Sequence, residues 1–133
     1  MNKRFWIGFA VVYVVGNILG FLVHAVLLAD TYASLAEVWR PEEQMMSLMW
    51  VMYLTALVYV FIFCFIYTKG HEGKGVMEGV RYGLLMGLFM STPMAFDSYV
   101  TYPITFNLAL TWFVTGIVQW MIAGAIFASI YRR

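Results

Sequence analysis

The apolar positions of this chain come in long runs rather than in alternation. Four runs stand out: about Phe5–Ala29, Met45–Tyr67, Val76–Phe96 and Ile104–Tyr131. A bilayer core takes roughly 20 helical residues to cross, and each run has that length. Backbone groups in lipid must be hydrogen-bonded internally, so the pattern predicts helices. A transmembrane β-barrel would show ten-residue alternating segments instead. The expected fold is all-α: one polytopic membrane domain over residues 1–133, a bundle of four transmembrane helices. The first run is too apolar and too long for a secretory signal, and no small-residue cleavage site ends it, so it is read as a retained helix.

Polar residues between the runs set an orientation. Lys3 and Arg4, then Lys69, Lys74 and Arg81, then Arg132 and Arg133 fall on one side, leaving only Arg40 of the eight basic residues on the other. The positive-inside rule places both termini in the cytoplasm. Aromatic belts agree, with Trp6, Tyr67 and Tyr131 at inner ends and Tyr32, Trp39, Tyr99 and Tyr102 at outer ones. The lipid bilayer is the first partner implied, and an inner membrane the expected location.

The connections are short. In Asp30–Arg40, Tyr32, Leu35, Ala36 and Trp39 share a helical face, which predicts a short amphipathic helix in the outer interface or packed over the bundle. Thr68–Gly75 carries three glycines, and with His71 it reads as a solvated loop. It lacks the glycine patterns of nucleotide sites.

Within the third run, Gly75, Gly79, Gly83 and Gly87 recur every fourth residue, and Ser91 and Ala95 continue the row. Each glycine in a helix interior costs about 1 kcal/mol. Small residues let helix backbones approach in lipid, where close contact rather than apolar burial drives association. This glycine zipper of overlapping GxxxG steps is therefore a packing surface. An i+4 row drifts roughly 40° per step, so one partner for Gly75–Gly83 and another for Gly87–Ala95 is an open arrangement. Either partner belongs to this chain or to a second copy. Pro93 breaks the backbone hydrogen-bond ladder near the outer end of the same helix.

Two polar rows cross the apolar background. Asn107, Thr111, Thr115 and Gln119 are four apart on the last helix, and Tyr13, Asn17, Gly20 and His24 share a face of the first. They are candidates for hydrogen bonds between helices or for an outward-facing polar pocket built from Asn17, His24, Asn107, Thr111, Thr115 and Gln119. No carboxylate lies at mid-membrane, which argues against a proton-coupled pump. Arg81 is expected to snorkel, with Glu78 as its ion-pair partner. Ten methionines include Met90 and Met94 at the depth of His24. Thioether and imidazole suit monovalent copper, so these three form a candidate metal site, beside the plain reading of Met as a core filler.

Composition narrows the chemistry. A net charge of +1 offers no surface for nucleic acid, and the single Cys64 excludes an internal disulfide or a two-thiol mechanism. There is no GxSxG motif, and a lone membrane-embedded histidine cannot supply two haem ligands. A non-enzymatic protein without a cofactor is expected. The segments "EGVRYGLLMGLFMSTPM", "YVTYPI" and "LALTWFVTGIVQWMIAGAIFASIYR" make the second half similar to small bacterial four-helix membrane proteins of unknown function. That resemblance implies a compact inner-membrane bundle and no transferable activity. The functional expectation is a protein acting through helix packing, as a homo-oligomer or an accessory subunit of a larger membrane complex. The alternatives are a small-solute transporter or binding protein with an outward pocket, or a Met/His metal-handling protein.

Overall fold

A computed structural model describes residues 1–132; Arg133, one of the basic residues in the charge pattern, lies outside them. The described residues are predominantly helical and contain no strand. The elements are α1 (Lys3–Phe21), a π-helical turn (Leu22–Leu27), α2 (Ala29–Ser34), α3 (Glu42–Gly70), α4 (Val76–Thr101) and α5 (Phe106–Ile130). Three of these segments are long and apolar enough to cross a membrane: Lys3–Leu27, Glu42–Gly70 and Phe106–Ile130. Among the expected four, α4 has the length, but its glycines, Ser91, Thr92 and Pro93, together with Glu78, Arg81 and Asp97, dilute its hydropathy.

The closest helix pair is α4 with α5. They run antiparallel, and the small residues of α4 meet the backbone of α5. A Cβ added to Gly79 would overlap the carbonyl oxygen of Gly124, and one added to Gly124 would overlap that of Gly79. One turn on, a Cβ at Gly83 would strike the Trp120 carbonyl, and at Gly87 it would lie 2.9 Å from Ile117 Cα. Ser91 then sits against Gly116, where an added Cβ would overlap its Oγ. A single partner helix thus takes the row from Gly79 to Ser91, and Ala95 is 0% exposed beyond it.

Gly75 is placed elsewhere. It precedes α4 with φ 85°, and nothing lies within 4 Å of an added Cβ. With Gly73, at φ 76°, it turns the chain in a conformation that side chains resist. Glu78 fastens this turn: its carboxylate accepts from the backbone N–H of Glu72 and of Lys74, both at 2.6 Å. His71 Nδ1 is 3.4 Å from the same carboxylate. Two expectations change here. Glu78 faces the loop rather than Arg81, and His71 is no solvated loop residue: its side chain is 5% exposed and packs on Tyr67 and Tyr131.

Two apolar clusters hold the remaining helices. At the end carrying the termini, Phe5, Val12, Val60, Phe63, Tyr67 and Phe127 interlock around Cys64. At the other end, Leu28, Ile104, Leu108 and Ala109 are covered by Tyr32, Leu35, Val38 and Trp39 of the first connection. That connection is packed over the bundle end, and within it only residues 30–34 are α-helical. The first part of α3, residues 42–55, has no buried position, so α3 joins the bundle only through its second half.

The glycines divide into two kinds, and substitution separates them. Gly83→Leu drives a side chain into the α5 backbone and is expected to cost about 3 kcal/mol or more. Gly20, with open space around it, behaves oppositely: Gly20→Ala raises stability by up to about 1 kcal/mol through helix propensity alone. Thermal unfolding of the detergent-solubilised protein reads both, and equal effects of the two changes would contradict the packing described.

Candidate functional site

Between the two clusters the bundle leaves a cavity of about 330 Å³, bounded by α1, α3, α4 and α5. Its origin is the splay of α3. Val12, Ala56, Val60 and Ser91 form a buried floor. Tyr59, Met90 and Met94, which are 41%, 38% and 47% exposed, form a rim on the flank between α3 and α4. These two helices touch only sparsely, so nothing closes that flank.

Of the six polar pocket candidates, Asn17, His24, Thr115 and Gln119 line the cavity, and Asn107 and Thr111 do not. The expected hydrogen bonds between the polar rows do not form. Asn17 Nδ2 donates to Tyr13 O at 2.8 Å, Thr111 Oγ1 to Asn107 O at 2.8 Å and Thr115 Oγ1 to Thr111 O at 2.7 Å. Each group bonds one turn back along its own helix, a common resort of Thr in apolar surroundings. The donors are satisfied locally, and no cross-bond pulls α1 against α5 over the gap. The Gln119 amide forms no hydrogen bond to any described residue.

Polar contacts between elements come from residues outside the two rows and from two members of the first, Tyr13 and His24. Tyr13 Oη donates to Tyr53 O at 3.2 Å, and Tyr82 Oη to Phe63 O at 2.5 Å. At the α2 end, Trp112 Nε1 donates to Tyr32 Oη at 2.7 Å, and Tyr32 Oη lies 2.5 Å from His24 Nδ1. An indole N–H only donates. Tyr32 Oη therefore accepts from Trp112 and keeps one hydrogen and one further lone pair for His24 Nδ1. Burial raises the Tyr32 phenol above its usual range, against the opposing pull of the Trp112 bond, so it keeps that hydrogen. With Tyr32 donating to Nδ1, the neutral imidazole carries its proton on Nε2; with Nδ1–H donating to Tyr32, Nε2 keeps a lone pair.

A local irregularity accompanies this relay. The last turn of the first span is π-helical, closed by a hydrogen bond from Leu28 N to Val23 O at 2.9 Å. His24 lies inside that turn, beside Tyr32 with the two rings stacked at 5.9 Å. Such turns have no dependable mark in a sequence, and they occur often at functional sites. The three candidate metal ligands, His24, Met90 and Met94, all line the same cavity. The tautomer in which Nδ1–H donates to Tyr32 leaves Nε2 the lone pair that a metal requires. No cluster of three His, Cys, Asp or Glu occurs among the described residues.

No protein-family model matches the chain, and no curated protein or solved structure shows significant similarity to it.

Tyr32 is the hub joining α1, the first connection and α5. Tyr32→Phe leaves the Trp112 indole N–H without its acceptor and His24 Nδ1 without its partner. The change is expected to cost about 1–3 kcal/mol, measured by thermal unfolding. Ser34→Ala, which removes only a local bond to Thr31 O, serves as the mild control.

Proposed function

We propose that this chain is a four-span integral protein of a bacterial inner membrane, with both termini cytoplasmic, that binds a small solute in the cavity between its helices. The observation that carries the binding reading is the cavity itself. It lies between two well-packed clusters, and four of the expected polar residues line it. A volume of about 330 Å³ is within the range of small-molecule sites, which are commonly apolar with a few placed polar groups. The protein binds or carries a ligand and performs no covalent chemistry.

Two features support the membrane arrangement. From Gly79 to Ser91, α4 lies backbone to backbone along α5. Where α5 crosses a bilayer, α4 shares its depth, and α5 covers its row of small residues. Seven of the eight basic residues then fall on the cytoplasmic side. Bacterial origin rests on the resemblance of the second half alone. The role as an assembly subunit loses its main support, because the glycine row is engaged within the chain and offers little to a second copy.

Gly16 tests the binding reading cleanly. It lines the cavity, and an added Cβ meets nothing within 4 Å. Gly16→Phe is expected to fold, fill the void and abolish saturable uptake of a neutral naphthalene dye by the protein in lipid nanodiscs. Saturable uptake that survives the change would refute the assignment.

Orientation is tested separately, in a Cys64→Ser background. A membrane-impermeant maleimide applied to intact cells is expected to label Ser34→Cys. Lys74→Cys should react only after permeabilisation, and the reverse result would invert the topology.

A further inference from the structure

We infer that the ligand is a neutral, lipid-soluble molecule with a flat two-ring body and a carbonyl-type acceptor, and that it enters sideways from the bilayer between α3 and α4. This rests on the binding reading above and narrows it to a chemical class.

Neutrality follows from the lining, which contains no Asp, Glu, Lys or Arg. A charged ligand there would lose its hydration without a counter-charge, at a large cost. Flatness follows from Tyr59, Trp112 and Trp120, whose rings offer faces and edges for stacking. Size follows from the volume: an apolar cavity of roughly 150 Å³ holds benzene, and this one is about twice as large.

The acceptor follows from the hydrogen-bond relay. Tyr32 Oη engages His24 Nδ1, and in the tautomer where Tyr32 donates, Nε2 presents a hydrogen. The Gln119 amide supplies further donors without a protein partner. A carbonyl oxygen is the group that both would bind.

The route follows from the rim. Tyr59, Met90 and Met94 are exposed on the flank of the bundle rather than at its end. The end above is covered by Tyr32, Leu35, Val38 and Trp39. Met side chains are unbranched and pliant, so a rim made partly of them yields to a passing ring without moving a helix. The first half of α3, residues 42–55, has no buried position and leaves the flank open.

Three probes and the full chain in nanodiscs test this. They are 2,3-dimethyl-1,4-naphthoquinone, 2,3-dimethylnaphthalene and 1,4-naphthoquinone-2-sulfonate, each measured by equilibrium binding, with Gly16→Phe as the partition background. The quinone is expected to bind saturably, the hydrocarbon about fivefold or more weakly, as one lost hydrogen bond implies, and the sulfonate not at all. His24→Phe should bring the quinone down toward the hydrocarbon, and Gln119→Leu should act in the same direction without touching the relay. Equal binding of quinone and hydrocarbon, or a quinone affinity indifferent to both changes, overturns the acceptor assignment while leaving the cavity reading in place. Tight binding of the sulfonate overturns neutrality and lateral entry. Saturable binding of none of the three removes the binding reading itself.

Discussion

The contact of Gly79 with Gly124 is the constraint from which the rest of the bundle follows. Two main chains meet there with no side chain between them. In lipid, apolar side chains gain little from leaving the acyl chains, so such proximity is the available source of attraction between helices. It also explains how α4 can hold its place at all. Its row of glycines weakens the helix, and its serine, threonine and charged residues weaken its case for lipid. Laid along α5, the glycines and Ser91 become the surface of closest approach. A helix marginal alone is stable as half of a pair.

That pairing decides where the looseness goes. The small residues of α4 face α5, so α3 has no comparable surface on which to dock. It is held by bulky groups near the terminal end, through Phe63, Tyr67 and their aromatic neighbours. The Tyr13 hydroxyl reaches Tyr53 O near the point where α3 leaves the bundle. Above that point α3 has no buried residue. The cavity is the wedge that remains between a tight pair and a helix anchored at one end. A fully packed core costs about 1 kcal/mol for each missing methyl-sized group, so an unfilled wedge of this size is a standing liability unless something occupies it.

Much of this could be read from residue spacing, and the limits have physical causes. The i+4 row in α4 announced a packing face, since nothing else explains repeated glycine in an apolar helix. Its partner was harder to see. Gly116, Trp120, Gly124 and Ala128 also fall four apart on α5, but the polar row from Asn107 to Gln119 on the same helix drew the interpretation toward hydrogen bonding. Thr111 and Thr115 bond within their own helix, a choice that spacing cannot reveal. Gly75 continued the row in sequence but not in space, because the helix begins after it. The burial of His71 and the turn of Glu78 toward the loop depend on tertiary packing. The splay of α3 was hidden for a related reason: a helix apolar on every side does not say which side has a neighbour.

The relay from Trp112 through Tyr32 to His24 ties these observations together. Three segments distant in sequence supply one residue each, and every one is placed by a different cause. Trp112 is set by α5, whose position the glycine contact fixes. Tyr32 is set by the packing of the first connection on Leu108 and its neighbours. His24 is set by the π-helical turn, which widens the helix just where the chain must bend toward Ala29. A structural hydrogen bond would end at the histidine's first nitrogen. This one leaves the second nitrogen at the edge of a cavity lined by no Asp, Glu, Lys or Arg. Trp112 and Tyr32 are thus bonded within the protein, and the imidazole keeps one nitrogen that no other described residue engages.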